Sequence, residues 1–368
     1  MSGSAASRIY NFSAGPAVLP VPVLERARDE LIALPGCGAS VMEISHRSKP
    51  FDAILQDAKT RLRALLEVPD GYHILFLQGG ARLQFSMIPM NLLRATGKPA
   101  DFILTGSWSN KARDEAVKEG TVHVAWDGKA SNYDHLPTTD QLQLSDAAAY
   151  AYYTSNETIQ GVQFARAPEV GAAPLICDAS SDFLSRPIAL DRYGLIYACA
   201  QKNAGPAGVT IVIMRDDLLE RSVDSLPGYL NYAIHAKHDS TYNTPPTFCV
   251  YFVGLVARWI QEEIGGLPAM AAQNERKASM LYTVINESDG FYRGHARPEC
   301  RSMMNVTFRL PTEELEQAFV AAAAAQGLEN LKGHRSVGGI RASIYNAMPV
   351  EGVRQLSQFM RDFAARQG

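Results

Sequence analysis

Cysteine is scarce in this chain and unpaired by spacing. Cys37, Cys177, Cys199, Cys249 and Cys300 are odd in number and form no C-x-x-C, which excludes a disulfide framework and a zinc knuckle and fits a reducing cytoplasm. No metal site is expected. Long apolar runs are missing as well. The longest, Thr247 to Ile260, is broken by Arg258 and falls short of the ~20 residues that span a bilayer, so it reads as a buried helix. The start, MSGSAASRIYNF, lacks the basic stretch and apolar core of a secretion signal, so no export is expected. Positive charge is not in excess either: 35 Lys and Arg stand against 38 Asp and Glu, a net −3, which argues against a nucleic-acid surface built on bulk charge. Any anion site must be local. No self-similarity of solenoid or propeller period is visible, and the G-x-G-x-x-G of a nicotinamide-binding first turn is absent.

What remains is an ordinary folded composition, 46% hydrophobic and 20% charged over 368 residues. A chain of that length buries roughly three quarters of its unfolded surface. Apolar residues recur at helical spacing from Pro22 to Leu34 and from Pro50 to Val68, each with proline near the start. Short apolar runs follow: 73–77, 102–104, 121–125, 150–153, 175–177, 195–200 and 209–214. Most are too uniformly apolar to face water on one side, which predicts a largely parallel central sheet covered by helices, an α/β fold. Beyond Pro245-Pro246 the pattern changes to long helices, 247–264 and 267–285. Strand-like 304–310, helix 312–326, strand-like 339–345 and helix 349–366 then predict a smaller α+β unit, with the boundary near Gly265-Gly266.

Three strings carry chemistry. In Tyr197-Ala-Cys-Ala-Gln-Lys202-Asn-Ala-Gly205 a lysine stands where an apolar strand runs into a Gly/Pro-rich loop, a place that suits an amine attacking an aldehyde. Leu175-Ile-Cys-Asp178 ends another buried strand in an acid, which could pair with a pyridinium nitrogen and keep a ring electron-withdrawing. Leu75 to Arg82 enters a helix through Gly79-Gly80, whose free backbone N–H groups form a phosphate cradle. Each element alone is more often a turn, a cap or a surface residue. In the order phosphate loop, acid, amine they fit a pyridoxal-phosphate enzyme; a nucleotide-binding α/β protein remains the alternative.

The chain resembles the phosphoserine aminotransferases, class-V pyridoxal-phosphate enzymes, nearly from end to end. The resemblance rests on NFSAGPA (11–17), ISHRSK (44–49), QGGARLQF (78–85), SNETIQG (155–161), CDASSDFLSRP (177–187), AQKNAGPAG (200–208), NTPPTF (243–248) and GHRSVGGIRASIYNA (333–347). It implies the aspartate-aminotransferase-like fold (pyridoxal-phosphate fold type I). A segment 1–15 would lie near the active site, a large cofactor-binding domain with a mostly parallel seven-stranded sheet would cover 16–265, and a small C-terminal domain 266–368. It implies Lys202 as the Schiff-base lysine and Asp178 as the partner of the ring nitrogen. Trp108 of GSWSNKA would lie against the ring, with Ala81, Arg82, Thr158 and Gln201 completing the cofactor shell. In the family the pair matching Asn243 and Thr244 reaches the cofactor phosphate of the neighbouring subunit, so a homodimer with shared active sites is implied. The pair's own setting, a polar helix start, suits a phosphate.

The implied reaction is a ping-pong transamination of 3-phosphohydroxypyruvate with L-glutamate, giving O-phospho-L-serine and 2-oxoglutarate. A phosphorylated hydroxy-oxobutanoate of vitamin B6 synthesis is implied as a second acceptor. One site must therefore hold two kinds of dianion. By resemblance Arg341 is the carboxylate clamp, a role its rigid fork suits, and His46, Arg47, Arg82, His334 and Arg335 meet the distal charge, some from the partner subunit. One position departs from the family. Ala14 stands where a serine is usual, leaving Ser13 or the backbone amide to supply that contact. A desulfurase on the same fold would need a thiol on a mobile loop, for which only Cys300 qualifies.

Overall fold

Successive residues of the apolar strands point to opposite faces of one sheet, and both faces are buried. In the computed structural model, which describes residues 8–367, Ile74 and Phe76 pack toward the helices Val21–Glu30, Lys49–Leu66 and Thr247–Trp259. Their neighbours Leu75 and Leu77 pack toward the helices Ala81–Leu92 and Ser107–Ala116. The period-two side-chain alternation of a strand makes one apolar run serve two cores. The first seven residues of the expected N-terminal segment lie outside the described residues.

Seven strands form this sheet, in the order Tyr72–Gln78, Val209–Arg215, Tyr193–Cys199, Leu175–Asp178, Tyr150–Thr154, Ala100–Leu104, Val122–Asp127. Val209–Arg215 runs antiparallel to both its neighbours; every other pairing is parallel. The expected mostly parallel, seven-stranded α/β sheet is thus observed. Carboxyl ends of the six parallel strands, at Gln78, Leu104, Asp127, Thr154, Asp178 and Cys199, accordingly lie on one edge. In open α/β sheets ligands bind at that edge.

A second core follows in the chain. It joins the helices Leu267–Asn286, Glu313–Ala324 and Val350–Gln367 to an antiparallel sheet of Arg293–Gly294, Asn305–Arg309 and Ile340–Ser343. Phe12 is fully buried in it, and Tyr10–Asn11 pairs in parallel with Leu328–Glu329. Helix Leu267–Asn286 serves both cores, giving Leu267 and Met270 to the first and Ala278 onward to the second.

Two helix ends differ from expectation. The first long helix stops at Glu30, not Leu34, because Pro35 cannot continue it and Gly36 and Gly38 take positive φ in a turn closed by Leu34 N–H on the Ala39 carbonyl. The helix from Thr247 is α-helical only to Trp259 and ends in one π turn, Ile260–Ile264, before Gly265 at φ +89°.

A buried lysine ties the helix Leu267–Asn286 to the loop after the small sheet, beside the contacts that join the two cores. The Lys277 amine donates to the carbonyls of Ile344 (2.9 Å), Tyr345 (2.7 Å), Asn346 (3.2 Å) and Met348 (3.2 Å). One turn earlier, Asn274 Nδ2 donates to Ser185 O and to Asn346 Oδ1. Asn346 N–H in turn donates to Asn203 Oδ1 at 2.9 Å, beside Lys202. Burial pushes the Lys277 amine down to about 7, while the four carbonyls hold its proton. Lys277→Met strips those carbonyls of their donor. We expect a loss of about 3 kcal/mol, read as a lower thermal midpoint by calorimetry; an unchanged midpoint would mean that other contacts hold the loop.

Candidate active site

Five of the six parallel strands deliver parts of the site through the loops after their carboxyl ends, Val122–Asp127 being the exception. Tyr72–Gln78 runs through Gly79, at φ +91°, into the helix Ala81–Leu92, which has no side-chain cap. Among the described residues the Ala81 and Arg82 N–H groups have no oxygen partner, as a helix start intended for an anion requires. After Ala100–Leu104, the loop through Gly106 opens the helix carrying Trp108. A Cβ at Gly106 would come within 2.6 Å of Gln160 and Glu157, so only glycine fits. Glu157, fully buried, accepts the N–H groups of Trp108 (2.9 Å) and Ser109 (2.8 Å) and the Ser109 hydroxyl. Burial raises its pKa, and those donors hold it back.

Lys202 follows the strand Tyr193–Cys199, in the loop beyond it. Its amine donates to Thr158 Oγ1 and Ser181 Oγ, 2.7 Å each, and lies 5.7 Å from the Trp108 ring centroid. Asp178 ends its strand at 4% exposure and accepts the Ser180 N–H at 2.9 Å. Burial pushes its carboxyl up, while Ser180 and then the Lys202 charge pull it back. Among the described residues it is in no ion pair. Gly15 brings the N-terminal segment against the lysine: at φ +138° a Cβ there would meet Lys202 Cγ at 3.4 Å.

These groups line one cavity of about 470 Å³, together with Arg82, His334 and Arg341, within the size range of cofactor sites. Arg341 comes from the small sheet's Ile340–Ser343 strand. Burial lowers its pKa, and among the described residues its guanidinium has no side-chain partner. Gln201 Oε1 and Trp108 Nε1 are likewise buried without partners. A buried carboxylate without a counter-charge, bare helix amides, a free guanidinium and orphaned polar atoms are what a bound anionic cofactor with a cationic ring would satisfy. The residues present therefore fit pyridoxal phosphate.

The structure brings Lys202, Asp178, Ala81, Arg82, Trp108, Thr158, Gln201, His334 and Arg341 to this cavity. His46, Arg47, Asn243, Thr244 and Arg335 do not line it. His46 and Arg47 precede the helix Lys49–Leu66; Asn243 and Thr244 precede Thr247–Trp259. In that helix pair Ala58 meets Gly254 and Arg61 donates to Gln261, so the two run parallel and both motifs sit at the same end. Ala14 lines the cavity and its carbonyl accepts the Tyr345 hydroxyl at 2.8 Å. Ser13 does not line it, its hydroxyl accepting from Gly15 N–H at 3.4 Å. Cys300 is buried against the Asp134 and Arg297 carbonyls, with its thiol pushed up to about 11 by burial. It is no mobile thiol.

Sequence reasoning missed Glu157 and Ser181. Ser181 carried no signal, since a Ser-Ser-Asp run after a strand reads as a turn. Glu157 could have been suspected only as an acid in a loop that must fold over a helix start.

The chain belongs to the class-V aminotransferases, whose family model it matches over residues 9–356. It is 57% identical over 366 residues to the phosphoserine aminotransferase of Rhodopirellula baltica, covering 99% of this chain and 97% of that one. The solved phosphoserine aminotransferase of Bacillus circulans subsp. alkalophilus superposes with a TM-score of 0.96 at 52% identity, covering 98% and 99%. A pyridoxal-phosphate-bound one from Trichomonas vaginalis gives 0.91 at 44%, covering 96% and 100%. The protein is thus an aminotransferase of pyridoxal-phosphate fold type I, and pyridoxal phosphate is its cofactor.

The charge state of His334 generates a prediction. Ser336 N–H donates to its Nδ1 at 3.2 Å, which leaves the hydrogen on Nε2. Burial, then Arg341, Lys111 and Arg335, lower its pKa from the ordinary histidine value. A lowered pKa keeps the ring neutral above that value, so the ring donates without adding charge. We expect His334→Asn to weaken inhibition by succinate by one factor across about pH 6.5 to 8.5. A factor that grows toward the acid end would mean that the ring binds as a cation.

Proposed function

We propose that the chain transfers the amino group of L-glutamate to 3-phosphohydroxypyruvate, giving O-phospho-L-serine and 2-oxoglutarate, the transamination of serine biosynthesis. One observation carries this reading: a single cavity joins the Lys202 amine and the buried Asp178 carboxylate to guanidiniums that have no carboxylate of their own. An amine and an acid suit amino-group transfer, and the free guanidiniums suit substrates with two anionic ends. The names of the near-full-length relatives support the same substrates.

Pyridoxal phosphate, when bound, supplies an aldehyde that a lysine amine can hold and a ring that draws electrons from the substrate Cα. Lys202 would hold the aldehyde end. Asp178 would hold a proton on the ring nitrogen, Trp108 would cover the ring face, and the Ala81 and Arg82 amides with Gln201 would hold the phosphate. Thr158 and Ser181 aim the lysine amine. Lys202 Nζ, once free of the aldehyde, would take the proton from the Cα of the amino donor and deliver it to the former aldehyde carbon, and would move a proton the opposite way with the acceptor. Arg341 fixes the substrate carboxylate bidentately, which leaves the second anionic end to Arg82 and His334.

The working unit in this reading is a homodimer. His46, Arg47, Asn243 and Thr244 lie outside the chain's own cavity yet together at one end of a helix pair, as residues lent to a neighbour would. Exposed Ile32 (87%) and Met42 (64%) offer apolar surface on the stretch between the first two helices. Five free thiols suit a cytoplasmic setting. Among the described residues no helix is long and apolar enough to cross a membrane. The phosphorylated hydroxy-oxobutanoate of vitamin B6 synthesis is a second proposed acceptor, since it too carries a carboxylate and a phosphate.

The purified protein should be yellow, bleach on adding glutamate and recover its colour with 3-phosphohydroxypyruvate. Response to glutamate without recovery would reject the phosphorylated acceptor. Lys202→Ala should abolish turnover while the circular dichroism spectrum is unchanged, because one amine performs both jobs; residual wild-type rates would overturn its assignment. Sedimentation that finds only monomers in an active sample would remove the shared site.

A further inference from the structure

Tyr152 and Tyr197 stand on the strands Tyr150–Thr154 and Tyr193–Cys199, and the strand that ends in Asp178 runs between them. In register, Tyr197 is directly beside Asp178, while Tyr152 is beside Ile176, the preceding residue on the same face of that strand. Both tyrosines and Ile176 pack into the core on the Trp108 side of the sheet, the side to which strand alternation also turns Asp178. Across the intervening strand the two phenol oxygens meet at 2.8 Å, and both rings are fully buried. Phe102 stacks on Tyr152 with ring centroids 4.9 Å apart, which fixes its direction.

Two phenols that satisfy each other in a core are the bland explanation. The hydrogen count does not close on it. Two hydroxyls carry two hydrogens, and the bond between them uses one. With Tyr152 donating to Tyr197, the hydrogen of Tyr197 is left over, and the acceptor beside it in register is the Asp178 carboxylate. Burial pushes both groups up, and the Tyr197 hydroxyl pulls the acid back, after Ser180 and Lys202. A buried carboxylate opposite a protonated ring nitrogen can stay an anion or take the proton and leave the ring neutral; a donor on the carboxylate favours the anion. The same two strands carry a second pair, Tyr153 and Tyr193, whose hydroxyls lie 2.9 Å apart. That pair packs into the core on the opposite face, where Phe164 meets Tyr153 edge-on.

We propose that Tyr197, oriented by Tyr152, is a positioning residue for Asp178: its hydroxyl donates to the carboxylate and keeps it an anion, so that the proton stays on the ring nitrogen of the bound cofactor. It rests on the reading of Asp178 as the partner of that nitrogen. The test uses enzyme loaded with pyridoxal phosphate isotopically labelled at the ring nitrogen, whose NMR shift distinguishes a protonated ring from a neutral one. Asp178→Asn marks the neutral end. Tyr197→Phe should move the shift from the wild-type position toward that end and slow the bleaching by glutamate roughly tenfold, the loss of one hydrogen bond to a charged group. Tyr152→Phe should act in the same direction by less, about threefold in rate. Tyr153→Phe removes an equally buried hydrogen bond on the other face and should leave the shift in place, whatever it does to the thermal midpoint. An unchanged shift in Tyr197→Phe, or an equal change in Tyr153→Phe, would overturn the proposal and leave the pair as core packing. If Tyr197→Phe does not fold, the shift in Tyr152→Phe decides between the same two outcomes. A wild-type shift already equal to that of Asp178→Asn would instead remove the reading of Asp178, and the proposal with it.

Discussion

A carboxylate sealed at the end of a parallel strand without a cation in contact is the constraint around which the site is arranged. Burying an ionised acid costs several kcal/mol unless other groups stabilise it. Asp178 receives one backbone N–H from Ser180 and the longer-range field of Lys202, and burial still pushes its pKa up. A second cation placed against it would relieve that cost. The site is therefore destabilised when empty and stabilised by a ligand bearing positive charge on a flat ring, which is the physical sense in which such a pocket is preorganised. Glu157 is the contrasting case: equally buried, it is compensated by two helix amides and a hydroxyl, and so serves to fix Trp108 rather than to meet a ligand.

What could be read in the residues follows from the range of the signal. Strand alternation and helix spacing are local, so the seven strands and the order phosphate loop, acid, amine were legible before any coordinates. Gly79-Gly80 and the lysine at 202 were legible for the same reason: a turn residue or a reactive group beside an apolar run constrains its own neighbourhood. The roles of Arg341 and the two His-Arg pairs were not, because a charged residue in a polar loop looks the same whether it faces a substrate or water. They came from resemblance alone. Ser181, Glu157 and Lys277 were illegible for a further reason. Each acts through partners 21 to 71 positions away along the chain, and nothing in a single sequence reports such pairings.

The second core is coupled to the first through polar contacts rather than through one apolar interface. Asn346 links Lys277 and Asn274 on one side to Asn203 and Leu184 on the other. Gly161 adds a close approach: at φ +72°, a Cβ there would fall 2.5 Å from Thr307 Oγ1 and 2.8 Å from the Asn305 carbonyl. Hydrogen bonds of fixed length and direction set register more sharply than apolar packing does. This matters for Arg341, which rides on the small sheet while Lys202 belongs to the large one. Their separation is held by the Asn203–Asn346 bond a few residues from each.

The five expected site residues that miss the cavity are as informative as those that line it. Four of them form two pairs at the starts of two parallel helices, whose helices cover the opposite face of the sheet from the Trp108 helix. A chain acting alone would keep His46, Arg47, Asn243 and Thr244 as solvated loop residues with no common purpose. In the proposed dimer, paired about a two-fold axis, the same loops would meet a neighbour's cavity at no cost in new structure, since an isologous contact presents each patch to its counterpart twice. Arg335 differs. It lies outside the cavity wall, yet its charge helps to lower the pKa of His334, which lines that wall, so the positive field at this end of the cavity extends beyond the residues that touch it.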